Sequence, residues 1–326
     1  MTLSIGLVYD LRKDYLAQGY SEDAVAEFDS EDTINEIDRA IVSLGHRTDR
    51  IGNALALCSR LVAGEKWDLV FNVAEGINGR SREAQVPAIL ELYGIAYTFS
   101  DPLVCALTLD KAMSKRVLMA AGLATPGFAV VATFADLESV NLGFPLFAKP
   151  IAEGTGKGID TDSKVDSSVA LRRVCARLLE KHSQPVLVEE FLPGREFTVG
   201  ILGAGCDARV IGTMEISIPD RSLKAVYSFK TKELCESLVV YSSPPRDKLR
   251  VDVEKLALES YRALECRDAG RVDIRLDSGG KPSFMEVNPL PGLHPTHSDL
   301  PMIATREGIP YNDLIASIIE SAMKRR

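Results

Sequence analysis

The rhythm of apolar positions changes part-way along the chain. In the first third, short apolar runs of strand length at residues 3–9, 67–73 and 95–99 alternate with stretches whose apolar positions recur every three or four residues. Ile34, Ile37, Ile41 and Leu44 carry the helical period, with Ser30 placed to cap its start and Gly45 to stop it. Residues 82–93 read as a further helix closed by Gly94. Strands separated by helices of this length predict a parallel, doubly wound α/β unit over residues 1–105. A helix at 111–121 follows, then strand-like 127–131 and 144–149, an amphipathic helix over 168–181 and strands at 186–191 and 196–202. From there the pattern is antiparallel. Residues 272–276 and 284–288 flank Asp277-Ser278-Gly279-Gly280, a hairpin turn by composition, and 311–323 is a terminal helix. The expected fold class is α/β followed by α+β material in two more lobes.

With 326 residues, 46% of them hydrophobic, the chain can fill two or three cores. Asp+Glu outnumber Lys+Arg by 46 to 38, a net charge of −8 with no basic block, which argues against nucleic acid or an anionic membrane as partner. A local cationic site for a small phosphate compound remains open. No apolar run reaches 18 residues, and the apolar stretch at 3–9 is too short and lacks the basic lead of a signal peptide. Six scattered cysteines without a C-x-x-C pair predict reduced thiols in a cytoplasmic protein. Four histidines without H-E-x-x-H argue against zinc.

Two stretches carry chemistry. Glu153-Gly154-Thr155-Gly156-Lys157-Gly158 follows the strand ending in Lys149-Pro150. Its glycines let the backbone approach a ligand, and its N–H groups and lysines suit phosphate oxygens; an ordinary Gly-rich hairpin turn is the alternative. In the hairpin, alternation puts Arg271, Asp273 and Arg275 on one face and Val272, Ile274 and Leu276 on the other. A turn centred between Gly279 and Gly280 sets Asp273 opposite Glu286 and Arg271 opposite Asn288. Two carboxylates across a ladder repel, so a cation should compensate. Asp, Glu and Asn oxygens suit magnesium, which also takes substrate phosphates; the other reading is a solvated face of mixed charge. A dinucleotide-dependent oxidoreductase would need a glycine cluster after the first strand, where the chain has Asp10-Leu11-Arg12-Lys13. A non-catalytic nucleotide-binding module would not need the Asp273, Glu286 and Asn288 set.

Lys149-Pro150 with Glu153-Gly154-Thr155-Gly156, the run from Glu189 to Val199, and Gly270-Arg271-Val272-Asp273 with Glu286-Val287-Asn288-Pro289 and Pro291-Gly292 occur in an order and spacing that resemble the ATP-grasp carboxylate–amine ligases, closest to the D-alanine–D-alanine ligase family. The resemblance runs from residue 67 to the C-terminus. It implies an ATP-grasp fold of three lobes, 1–105, 106–190 and 191–326, with ATP between the second and third. It implies that Lys111 and Lys149 hold phosphates and that the loop with Glu153, Gly154, Thr155 and Gly156 folds over them. Glu189 and Leu192 match the positions that read the adenine edge, and Glu196 the one that binds the ribose. Lys232 resembles a further phosphate lysine, with Lys230 a close competitor. Asp273, Glu286 and Asn288 match ligands of two magnesium ions, for which manganese could substitute. Arg271 and the Gly292 N–H match the oxyanion site, and Thr155 keeps the hydroxyl of a family serine. Ser298, after His297, matches the serine that holds the second substrate's carboxylate. The implied reaction activates an amino-acid carboxylate as an acylphosphate and passes it to an amine; a non-amino-acid carboxylate is the alternative. The implied partners are small-molecule amino acids and a second copy of the chain in a homodimer.

The first-substrate end departs from the family. Its Gly-Gly-x-Ser-x-Glu stretch is replaced by Tyr9-Asp10-Leu11-Arg12-Lys13 and a longer segment to Ser30, which leaves Glu27 near the glutamate that grips the first amino group. Glu75 stands where the family has histidine, Arg80-Ser81-Arg82-Glu83 where it has Gly-Glu-Asp-Gly, and Glu233 where it has tyrosine. The carboxyl substrate therefore need not be D-alanine, and Glu75, Arg80 and Arg82 are candidates to recognise a different or more polar acid.

Overall fold

The computed structural model describes residues 2–217 and 240–325. The first sheet has three parallel strands, with β1 (Ser4–Val8) between β2 (Arg47–Gly52) and β3 (Leu69–Asn72). The run at 95–99 adds only one parallel bridge, Tyr97 to Val70. The chain leaves the extended region at Phe99 (φ 71°), whose N–H turns away to the Asp268 carboxylate at 2.7 Å. A short helix, α1 (Arg12–Ala17), follows β1. Ser30 caps α2 (Glu31–Ser43) as expected, its Oγ accepting the Thr33 N–H at 3.1 Å. Ile34, Ile37 and Ile41 of α2 bury against Ile5, Leu7 and Phe71. α3 (Ala54–Val62) and α4 (Gln85–Leu92) cover the other face through Leu57, Leu61, Val86 and Leu90. Helices on both faces make this unit doubly wound.

Asp110 separates α5 (Pro102–Leu109) from α6 (Lys111–Ala120) and caps the latter by accepting the Ala112 and Met113 N–H groups. The second sheet is antiparallel, in the order β4 (Phe128–Val131), β7 (Val186–Glu190), β5 (Leu146–Pro150), β6 (Lys164–Val165). α7 (Ser168–His182) packs on it through Leu171, Val174 and Leu178. The third sheet is also antiparallel. Its order is β10 (Val240–Ser242), β9 (Arg209–Ser217), β8 (Glu196–Leu202), β11 (Ala269–Leu276), β12 (Pro282–Asn288). α8 (Lys248–Ala263) covers one face through Val253, Ala257 and Tyr261. α9 (Asp299–Arg306) lies so close to the sheet that a Cβ on Gly212 would stand 2.7 Å from Ile303. α6 bridges sheets: Leu118 joins the core of the third, and Ala112 meets Ile151, Ala152 and Leu187 at the second. The last helix, α10 (Tyr311–Met323), returns to the first unit and buries Leu314, Ile315 and Ile318 beside α2.

The β11–β12 ladder pairs Asp273 with Glu286 and Arg271 with Asn288, as the sequence suggested. The route to that register differs. Near the turn the pairs are Leu276 with Pro282 and Ile274 with Phe284, so the turn centres on Gly279 itself. A bulge at Met285 inserts one extra residue and restores the expected pairing at the site.

Candidate active site

Between the segment after β1, the start of α6 and the β11–β12 hairpin, a cleft of about 710 Å³ opens. Its floor is built by β11, β12 and α6. Asp273 and Glu286 face each other across the ladder, with Asn288 on the same face of β12. Arg271 donates to Asp273 Oδ2 at 3.0 Å and also pairs with Asp299 at the start of α9. Lys111, first residue of α6, reaches Glu286 Oε2 at 3.4 Å and donates to the Glu153 carbonyl. Burial would raise the Glu286 carboxyl, but Lys111, Lys149 and Arg271 outweigh it and hold it at about 2. Burial dominates at Asp273 and raises it, opposed by Arg271 and reinforced by Glu286. Two carboxylates and a carboxamide on one buried face are an all-oxygen donor set, which fits magnesium and not a soft metal. Among the described residues no three His, Cys, Asp or Glu side chains converge, so a metal here would take Asn288 as its third protein ligand.

Gly292 and Ser298, between β12 and α9, also line the cleft. Ser298 Oγ accepts the His294 N–H at 3.0 Å, and a Cβ on Gly292 would meet that oxygen at 2.7 Å. His297 lines the cleft too and stacks on His294 with ring centres 4.5 Å apart. Above the floor, Gly154 and Thr155 lean in from the glycine loop. Thr155 (φ 54°) and Gly156 (φ 72°) both take the left-handed conformation at its crest. Behind the floor, Glu189 on β7 is 5% exposed and clamped by Lys149 at 2.8 Å and Lys115 at 3.0 Å. The two lysines override burial and hold its carboxyl at about 2. Leu192 is buried nearby in sequence, and Glu196 pairs with Arg275 at 3.2 Å, with burial raising its carboxyl. Glu153 turns its carboxylate to Lys157 at 2.7 Å and Gln184 at 2.6 Å.

The family description "D-ala D-ala ligase C-terminus" matches residues 117–320. The D-alanine–D-alanine ligase of Bordetella petrii is 35% identical over 264 residues, 80% of this chain and 78% of that protein. A protein of Sinorhizobium fredii called "Uncharacterized protein y4sG" is 34% identical over 259 residues, 79% of this chain and 75% of that one. The chain belongs to the D-alanine–D-alanine ligase family. Its fold is that of the Bacillus anthracis D-alanine–D-alanine ligase crystallised with ATP, at a TM-score of 0.76 and 24% identity, covering 100% of this chain and 98% of the other. As the order of motifs implied, this is an ATP-grasp enzyme of the ATP-dependent carbon–nitrogen ligase class.

Within this family member, Lys111, Arg271, Glu286, Asn288, Gly292, His297, Ser298, Glu27, Glu75, Gly154 and Thr155 come together around the cleft. Asp273, Glu153 and Gly156 are not part of its lining, and Lys149, Glu189, Leu192 and Glu196 also sit outside it, on the second sheet, after it and at the start of β8. Lys230, Lys232 and Glu233 lie outside the described residues. The end of the cleft where the sequence departs from the family is built by residues 10–33 and 74–83. Asp10 folds this segment, accepting the Tyr15 hydroxyl at 2.5 Å and the Gly76 N–H at 2.9 Å. Glu27 reaches across to the glycine loop, where its carboxylate accepts the Gly154 N–H and Arg82 Nη2 at 2.8 Å. Arg82 also donates to the Ala152 carbonyl at 2.9 Å, and Arg80 pairs with Asp110. Both arginines considered as readers of an acidic substrate are thus engaged by the protein. Three contributors escaped the sequence reading. Lys115 is fully buried one turn after Lys111, and the four-residue spacing on α6 was the available signal. Glu83 stands in the departing run at 80–83, which was its available signal, and Asp299 had none, because its partner Arg271 is remote in sequence.

Proposed function

We propose that the chain uses ATP to join the carboxylate of one amino acid to the amine of another, releasing ADP and phosphate. A substrate carboxylate oxygen attacks the γ-phosphorus, the bond to the bridging β,γ-oxygen breaks, and an acylphosphate forms. The free amine of the second substrate attacks the acyl carbon, the C–O bond to phosphate breaks, and the nitrogen loses its proton as the amide forms. The reading rests on one observation above the others: Lys111, Arg271 and Glu286 line one cleft, and Asp273 faces Glu286 across the ladder.

In this reading Lys111, Lys149 and the loop from Glu153 to Gly156 receive the phosphates. Thr155 supplies a hydroxyl over them, Glu189 and Leu192 face the adenine, and Glu196 takes the ribose. Asp273, Glu286 and Asn288 would hold magnesium, which when bound supplies positive charge against the phosphate oxygens. Arg271 and the Gly292 N–H stabilise the oxyanion of the tetrahedral intermediate, and Ser298 beside His297 holds the second substrate's carboxylate. Glu27 and Glu75 belong to the first-substrate end. The lobes 1–105, 106–190 and 191–326 are the proposed division, with the nucleotide between the last two. No described helix is long and apolar enough to cross a membrane, and a net charge of −8 supports neither nucleic acid nor membrane as partner. We place the enzyme in the cytoplasm. Leu55 and Val62 on α3 and Leu92 on α4 are exposed apolar side chains on neighbouring helices and support a homodimer through the first unit.

The test is ADP release from the purified protein with pairs of amino acids, with the product weighed by mass spectrometry. An amide product and equimolar ADP and phosphate are expected. ATP turnover that is indifferent to any amine would refute the reading.

A further inference from the structure

The first-substrate end of the cleft holds more negative charge than the protein neutralises. Glu83 is 8% exposed, lines the cleft and makes no hydrogen bond or ion pair with any described residue. The side chains of Glu75 and Asp29 line the same end and make none either. The neighbouring cations bond to other groups, and although Arg82 pulls on Glu75 and Glu83, Lys111 on Glu83 and Arg12 on Asp29, none overturns the effect of burial. Arg82 holds Glu27 and the Ala152 carbonyl, Arg80 holds Asp110, Lys111 holds Glu286 and the Glu153 carbonyl, and Arg12 donates to the Ala26 carbonyl at 3.0 Å. Glu27, the expected grip for the first amino group, is occupied by Arg82 and the Gly154 N–H.

Burying a carboxylate without a partner costs free energy that a fold does not retain without cause, and such groups concentrate where a ligand supplies the missing charge. Burial raises the carboxyls of Asp29 and Glu83 to about 7, and raises Glu75 well above the usual range with Glu83 adding to the effect. An α-amino acid brings one ammonium. Three unpartnered carboxylates exceed what one ammonium can satisfy, and they lie at the end of the cleft that the family gives to the carboxyl substrate.

We infer that the carboxyl substrate is a basic amino acid whose side-chain ammonium or guanidinium sits against Glu75 and Glu83. This deepens the proposed ligation and rests on it for which substrate occupies this end. The two carboxylates act as specificity determinants: an acidic substrate is repelled, and a small neutral one leaves a buried pair of acids uncompensated.

The experiment uses the full chain and two readouts. Calorimetric binding without ATP compares D- and L-ornithine and D- and L-arginine with D- and L-alanine and D-glutamate. Amine-dependent ADP release is then measured with the same set as first substrate. One enantiomer of ornithine or arginine is expected to bind at least about tenfold tighter than alanine of the same hand, the scale of one charge-assisted hydrogen bond. Glu83→Gln and Glu75→Gln should each cut that ratio severalfold while leaving the KM for ATP in place. Equal binding of alanine and the basic amino acids by the parent protein overturns the inference whatever the variants do. An undiminished preference in both variants overturns the assignment to these residues. Selective binding of a basic amino acid without any amine-dependent ADP release upholds the pocket and instead refutes the ligation reading.

Discussion

The two ends of the cleft handle buried carboxylates in opposite ways. On the floor each acid has a basic partner: Glu286 meets Lys111, Asp273 meets Arg271, and Glu189 just behind is held by Lys115 and Lys149. Glu286 and Glu189 are accordingly pinned near 2 and stay ionised. At the proposed first-substrate end Asp29, Glu75 and Glu83 make no hydrogen bond or ion pair with any described residue, and burial pushes them up, two of them to about 7. The same side-chain chemistry thus yields carboxylates held ionised at Glu286 and Glu189 and proton-holding, ligand-dependent ones a short distance away, with Asp273, raised by burial against the pull of Arg271, between the two. The difference lies in the neighbours each acid was given.

The sharpest way to break this contrast is on the floor. Glu286→Ala should lower amine-dependent ADP release by at least about a thousandfold, since it removes a proposed magnesium ligand and leaves Lys111 without its carboxylate partner. Turnover retained within tenfold of the parent would sink the assignment. Lys115→Met comes next. It leaves the buried Glu189 with only one lysine and should cost about 3 kcal/mol in urea unfolding at neutral pH. An unmoved midpoint would mean that Lys149 alone satisfies Glu189. Gly154→Ala tests the tie between the two ends, because a Cβ there would collide with the Glu27 carboxylate. About 2 kcal/mol of stability should be lost, and a Glu27→Ala second change should recover part of it. The smallest effect is a slope. Glu83 has its carboxyl raised from 4.5 to about 7, so its contribution to stability is full below about pH 4.5 and is lost as the pH rises through about 7. Glu83→Gln removes that loss. Its stability relative to the parent should rise between about pH 4.5 and about pH 7 and level off above, and a constant difference across that window would show that the Glu83 carboxyl is not raised on folding.

The floor was legible in the chain because its residues sit on a hairpin, where alternation assigns faces and a Gly-rich turn sets register. Even there the agreement had a hidden step. The turn centres on Gly279, and only the bulge at Met285 brings Asp273 opposite Glu286. A bulge leaves little trace in composition, so the pairing was right while the turn was half a residue off. The first-substrate end was less legible for a physical reason. Its geometry depends on contacts between residues far apart, such as Asp10 with Gly76 and Glu27 with Gly154, and no local period encodes them. Arg80 and Arg82 illustrate the limit. As sequence they are free cations beside a pocket, and as structure they are bound to Asp110 and Glu27. The strand expected at 95–99 failed similarly, since Asp268, from a distant part of the chain, draws Phe99 off the sheet.

The helix Tyr311–Met323 has a consequence for how the molecule is made. It seals the hydrophobic layer over Ile34 and Ile37, and just beyond it Arg325 pairs with Asp268 and donates to the Tyr97 and Phe99 carbonyls. During synthesis the earliest sheet leaves the ribosome with part of that layer open, and the covering helix arrives some 240 residues later. For that interval the nascent first unit exposes apolar surface that a chaperone can hold. The order of translation and the order of burial run in opposite directions along this chain.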